Sequence, residues 1–290
     1  MATNFVHTEL SEPIAEFTIS IGAFRDNVYM ANGTATFVAP FLAITAKHVF
    51  EYYWRVLQGV NIKPGHENQI KFNMVGIQII NEGKDCALWD IVQVWFSPVT
   101  DIAYFSVSPN NSIAKEYTWK ILPTLEMLPP TINTTIACFG FRESSAKLED
   151  GILNWNINPT TSTGLVVDVH HLRRDNFSIN FPCIYTDARF DGGMSGGPVF
   201  NDEGFLCAII SSNLPPSREG ESHVSYAALL WASMNTFINL NREGIYNSGH
   251  YPLLELCQGS FIKAKNYERI SLFDTDQGKN MGITIAIPRK

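Results

Sequence analysis

Three short stretches of the chain hold residue types that could act together on a carbonyl group. In Leu42-Ala43-Ile44-Thr45-Ala46-Lys47-His48-Val49 a histidine closes an apolar run, and in Thr100-Asp101-Ile102-Ala103-Tyr104-Phe105 an aspartate opens one. The third stretch, Asp191-Gly192-Gly193-Met194-Ser195-Gly196-Gly197-Pro198, sets a serine among four glycines and ends in a proline. Glycine allows positive φ and proline removes a backbone donor, so this stretch reads as a tight, irregular turn that exposes a hydroxyl. Such a turn also aims backbone N–H groups, those of Gly193 and Ser195, at one point, as an oxyanion hole requires. A serine hydroxyl is a weak nucleophile near neutrality and needs a base, itself oriented by a carboxylate. Each residue alone has a plainer reading: a strand-end histidine, a strand-start aspartate, a bystander serine in a glycine-rich hairpin. The chemistry rests on the three acting together.

In the order His, Asp, Ser, at separations of 53 and then 94 residues, the three stretches resemble the signatures of chymotrypsin-like (trypsin-fold) serine proteases: Thr-Ala-x-His, Asp-Ile-Ala and Gly-x-Ser-Gly-Gly-Pro. Gly33–Val38 resembles the strand before the family's histidine. Gly204–Ser212 resembles the strand that walls the specificity pocket and pairs with substrate. The resemblance spans residues 14–240 and implies a role for each position. Ser195 is the nucleophile, His48 the general base and then the general acid, and Asp101 the group that orients the imidazole. The Gly193 and Ser195 amides hold the oxyanion. The implied substrate is a protein or peptide, with no cofactor and no metal. At the pocket, either Arg189 points inward and favours an acidic residue before the cut bond, or it turns to solvent and Phe190 lines an apolar pocket. Ile210, Ser211 and Ser212 supply the opposite wall. Secreted animal members carry an aspartate just before the nucleophile, which pairs with a newly cut amino terminus. Here Met194 stands there, so activation by that route is not expected. The style is closer to bacterial trypsin-like and high-temperature-requirement-type peptidases. The reading from another class is a protease-fold protein that no longer cleaves and serves as a binding or scaffold module. A Gly-x-Ser-x-Gly elbow of the α/β-hydrolase kind is excluded by Gly196-Gly197-Pro198, which cannot start the helix that elbow needs.

The elements that must hold these residues are mostly strands. Apolar, β-branched and aromatic runs of five to twelve residues, such as Thr34–Val38, Ile102–Val107, Thr135–Phe141 and Phe205–Ser211, alternate with Gly, Pro, Asn, Asp and Ser. That is the pattern of an all-β chain, not of βαβ units. Two segments read as helical: His48–Gln58, and Ala227–Leu240, in which Leu229, Leu230, Met234, Phe237 and Ile238 recur at three- and four-residue steps. With the resemblance added, the expected fold is all-β: two antiparallel six-stranded β-barrels with a C-terminal helix and a short C-terminal extension. The expected boundaries are 1–113 for the barrel with His and Asp, 114–240 for the barrel with Ser, and 241–290 for an appendage. The segments 58–68 and 142–151 read as exposed connections.

Composition narrows the partners. The 290 residues are 45% hydrophobic with a formal net charge of −7, which suits a folded chain with a large core and excludes a basic nucleic-acid footprint. No apolar run is long enough to span a membrane. Met1–Phe24 lacks a basic start and is interrupted by Glu9, Glu12 and Glu16, so no export signal is expected and the expected location is cytoplasmic. The five widely spaced cysteines sit in apolar runs and read as buried free thiols. An activity of this kind must be restrained, and the expectation is either narrow specificity or assembly of the oxyanion turn by a regulatory protein partner, involving residues 241–290.

Overall fold

The computed structural model describes residues 5–9, 12–57, 59–60, 73–149, 152–214, 224–242, 246–275 and 281–287. In chain order β1 (Phe5–His7) comes first, followed by β2 (Thr18–Arg25), β3 (Val28–Ala39) and β4 (Leu42–Ala46). Helix α1 (Lys47–Tyr52) continues into a π turn at Tyr53–Leu57. Then come β5 (Met74–Ile80), β6 (Asp85–Phe96) and β7 (Ile102–Pro109). Every ladder in this half is antiparallel: β2 pairs with β3 and β5, β4 with β3 and β7, and β6 with β5 and β7. The six strands therefore close on themselves. The β2–β3 hairpin turns on Asp26-Asn27, both at positive φ, the two-residue turn whose twist matches that of its strands.

A short helix α2 (Ser112–Glu116), capped by the Asn111 side chain, leads to the second half. Its strands are β8 (Leu125–Glu126), β9 (Thr135–Phe141), β10 (Ser145–Glu149), β11 (Ile152–Asn156), β12 (Pro159–His170), β13 (Cys183–Thr186), β14 (Pro198–Phe200), β15 (Leu206–Leu214) and β16 (Val224–Leu229). Here β9, β12, β13, β16, β15 and β14 pair in that cyclic order, again antiparallel. The fold is thus two closed six-stranded antiparallel barrels, as expected.

Two pieces of chain cross between the halves. Strand β1, at the start of the sequence, pairs with β12 of the second barrel. The β10–β11 hairpin lies within the second half of the sequence, yet β10 pairs with Val28–Met30 of β3 in the first barrel. The segment 142–151 is therefore not simply an exposed connection. Between the barrels, the buried Tyr104 hydroxyl lies 2.7 Å from Ser233 Oγ. The segment 58–68 lies, apart from residues 59 and 60, outside the described residues.

The helix expected at Ala227–Leu240 is not there. The segment is the end of β16, a 3-10 turn at Leu230–Ser233 and the start of β17 (Phe237–Arg242), which pairs with β18 (Tyr246–Pro252). Leu229, Leu230, Ala232 and Met234 are all within 1% of full burial, so both faces of this run are apolar and the spacing mimics a helix. The C-terminal helix is α3 (Leu253–Gln258). Beyond it lie β19 (Ala264–Lys265), beside β8, and a hairpin of β20 (Ile270–Asp274) with β21 (Met281–Ile285). Leu253, Leu254, Leu256, Cys257 and Ile262 are buried in the same continuous core as the barrel side chains. The Leu253 and Leu254 amides donate to Thr236 and Met234 carbonyls. Leu253→Ala should therefore destabilise the whole fold by about 2–5 kcal/mol, as in any core site. Chemical denaturation measures this, and an unchanged midpoint would show α3 to be peripheral.

Candidate active site

His48 and Asp101 meet because of strand register. Ala46, the last residue of β4, faces Ile102, the first of β7, so the residues just beyond the ladder lie side by side. His48 Nδ1 is 2.7 Å from Asp101 Oδ2. The His48 amide, in the first turn of α1 where no helical acceptor exists, donates to Asp101 Oδ1 at 3.0 Å. From the second barrel, Ser211 Oγ donates to Asp101 Oδ2 at 2.5 Å. Asp101 is 8% exposed. Burial would raise its pKa, but the His48 charge and the bonds from His48 and Ser211 outweigh it, and the carboxyl is held below its ordinary range. For His48, burial pulls downward, while the charge and hydrogen bond of Asp101 pull upward more strongly, so the imidazole lies above its ordinary value. With Nδ1 directed at Asp101, Nε2 is the ring nitrogen left for another partner.

Ser195 sits in the turn between β13 and β14. The Met194 amide bonds to the Asp191 carbonyl at 3.1 Å, and Gly193, the third residue of this turn, has φ +89°. That is the signature of a type II turn, whose third position favours glycine. The Gly192 carbonyl accepts from the Glu143 amide at 3.2 Å. Because the peptide is planar and trans, the Gly193 N–H points the opposite way. Among the described residues neither the Gly193 nor the Ser195 amide donates a hydrogen bond, and the Ser195 hydroxyl makes none either.

Backbone contacts from both barrels hold the turn. The Thr34 amide of β3 donates to the Ser195 carbonyl at 2.8 Å, and Thr34 Oγ1 donates to the Gly193 carbonyl at 2.8 Å while accepting from the Phe141 amide. On the other side, the Gly196 amide bonds to the Ile210 carbonyl and the Ile210 amide to the Gly197 carbonyl. Ser195 is thus two short steps from Ser211, the partner of Asp101. Gly33 is wedged in the same place: a Cβ there would stand 2.7 Å from the Ser195 carbonyl oxygen and 2.8 Å from Val49 Cγ2, next to His48. A cavity of ≈ 570 Å³ is lined by His48, Asp101 and Thr100 of the first barrel and by Asn180, Phe181, Ser211, Ser212 and Asn213 of the second half.

The remaining expected pocket residues are placed as follows. Arg189 does not stand free at a pocket floor: its Nε donates to Asp191 Oδ1 at 3.0 Å and its guanidinium lies 5.1 Å from the Phe5 ring centroid. Phe190 is 2% exposed and packed in the core. Its carbonyl accepts from Asn213 Nδ2 at 2.6 Å. Ile210 is buried and acts through its backbone, and Ser212 is half-buried on the cavity wall. Sequence reasoning does not single out Thr34, Asn213 or Arg142; Thr34 lies within Gly33–Val38, and the glycine before it is the one local signal of a close approach. Gly33→Ala should force Ser195 and Val49 apart. An activity loss of at least about tenfold is expected, with a stability loss of about 1–3 kcal/mol from overpacking. Parallel turnover and melting measurements check it, and full activity would mean the turn tolerates the displacement.

No curated protein matches the sequence. Among solved structures, a mutant of Rv3671c from M. tuberculosis H37Rv in an inactive form is similar at 13% identity and TM-score 0.44, over 75% of this chain and 82% of that one. The MamO protease domain from Magnetospirillum magneticum, in its apo form, is similar at 15% identity and TM-score 0.47, over 75% of this chain and 94% of that one. The family comparison is decisive, because residues 33–209 match the model of the trypsin-like peptidase domain. That stretch runs from the glycine wedged behind Ser195 to the strand beside Ser211, and by it this chain belongs to the family of trypsin-like peptidases.

Proposed function

We propose that the protein is a serine endopeptidase acting through His48, Asp101 and Ser195. The observation that carries this reading is Asp101. Its carboxylate is out of water and bonded to Nδ1 and to the backbone N–H of one histidine, an arrangement that fixes the ring's tautomer and orientation and raises its basicity. In this reading Ser195 Oγ attacks the scissile carbonyl carbon as His48 Nε2 removes its proton. The C–N bond then breaks, with the same proton passing to the leaving amine. Water, deprotonated in turn by His48, hydrolyses the acyl-Ser195 ester. The unengaged Gly193 and Ser195 amides take the negative oxygen of each tetrahedral intermediate. The five cysteines are free thiols, four of them buried, which suits a reducing compartment.

A fluorophosphonate probe should label the parent protein and not Ser195→Ala, and the variant should lose about 10³-fold or more of peptide turnover. A folded protein that the probe leaves unlabelled would favour the binding or scaffold reading. The pH profile follows from the pair. His48 must be neutral to act as base, so kcat/KM should fall on the acid side with a midpoint above 6.5, the ordinary histidine value. The stability contribution has the opposite sense. The charged pair contributes fully below that ordinary value and its contribution fades as pH rises through the raised one. An acid-limb midpoint below 6.5 would contradict the pairing.

For substrate preference, the Asn213–Phe190 bond ties the β15 wall to the segment before the turn. With Arg189 engaged by Asp191, an uncharged residue before the cut bond is the reading this supports. Asn213→Gly should relax the residue preference in a peptide-library profile, and an unchanged profile would show that this tie does not shape the pocket.

A further inference from the structure

The turn that presents the Gly193 amide begins at Asp191, and Asp191 is gripped from both sides. Arg189 Nε donates to its Oδ1 at 3.0 Å, and Arg142 Nε lies 3.0 Å from its Oδ2 as an ion pair without an aligned hydrogen bond. Both guanidiniums also rest on one aromatic ring, that of Phe5, with Arg142 at 4.6 Å and Arg189 at 5.1 Å from its centroid. Phe5 belongs to β1 and is opposite Ser162 of β12. The strand is held further by the Thr8 amide on the Pro159 carbonyl and by the Thr8–Thr161 hydroxyl contact. Three distant parts of the chain, β1, the end of β9 and the segment before the serine, thus converge on one carboxylate. Two like charges brought this close repel unless an anion lies between them and a polarisable face covers them, and here Asp191 and Phe5 supply both.

The same segments set the peptide that matters. Arg142 is followed by Glu143, whose amide holds the Gly192 carbonyl. The Asp191 carbonyl holds the Met194 amide. Fixing Asp191 and the 142–143 backbone together fixes the plane of the Gly192–Gly193 peptide, and hence the direction of the Gly193 N–H. We propose that Phe5 is a positioning residue for the oxyanion turn: its ring holds Arg142 and Arg189 on Asp191, so the strand at the start of the chain takes part in assembling the site. This inference rests on the hydrolytic role of Ser195 given above. It supplies an anchor for the turn in a chain that has Met194, with no charge to offer, beside the serine.

The test uses the full-length chain and the variants Phe5→Ala, Phe5→Leu and Phe5→Tyr, each assayed with one fluorogenic peptide and with a peptide boronic acid, whose serine adduct requires the oxyanion site. Removal of one oxyanion donor costs about 10²–10³ in kcat, and loosening one should cost less, so the Ala and Leu variants should lose about 10- to 100-fold in kcat with KM moved by less than about twofold. Their boronate affinity should fall in parallel, while affinity for the product peptide holds. Phe5→Tyr, which keeps the ring, should keep kcat. Melting curves confirm that the variants are folded. Undiminished turnover and boronate binding in the Ala variant would overturn the proposal, as would equal rescue by Leu and Tyr, which would reduce Phe5 to apolar packing. A parent chain that neither turns over peptide nor takes the fluorophosphonate would instead overturn the hydrolase reading, and this inference with it.

Discussion

A negative charge kept almost entirely out of water is tolerated only where donors replace the water, and Asp101 is such a charge. Its donors come from two places: the ring and the backbone of His48 from the first barrel, and the Ser211 hydroxyl from the second. The ionised state of Asp101 therefore depends on how the two barrels are docked. So does the direction of the imidazole, because the same three bonds orient it. The cleft is less a gap between two bodies than the place where one buried ion demands both of them.

The turn around Ser195 is governed by a second requirement, that a backbone carrying unmet N–H groups be held still. Thr34 does much of this from β3: its amide meets the Ser195 carbonyl, its hydroxyl meets the Gly193 carbonyl, and its own carbonyl accepts the Thr45 hydroxyl. Gly33, one residue earlier, leaves room for that approach. A small side chain capable of several bonds, next to a residue with none, lets two barrels come close enough for a turn in one to be buttressed by a strand in the other.

What could be read in the sequence and what could not follows from the range of each interaction. His48, Asp101 and the glycine-rich turn are legible because the proposed chemistry and the local backbone each restrict residue type, and the His48–Asp101 pairing is what the structure adds. The strands and the first helix are likewise visible in local periodicity. The segment 227–240 misleads for a physical reason: Leu229, Leu230 and Met234 face apolar neighbours on every side, so alternation is lost and a helical spacing emerges by chance. The tethering of Arg189 could not be seen, since it depends on Asp191 and on Phe5, more than 180 residues away. Residues 241–290 read as an appendage because their composition is polar, yet within them five apolar side chains of α3 and the turn beyond it complete the common core. Average polarity conceals a narrow buried stripe.

The reciprocal strand exchanges carry a consequence for the molecule as a whole. With β1 laid along β12, and the β10–β11 hairpin laid along β3, each half of the polypeptide lends main-chain hydrogen bonds to the other. A fragment ending between the halves would leave sheet margins bare and prone to stick to other chains. The two barrels are therefore joined by main-chain ladders running in both directions, and not only by the chain that links them.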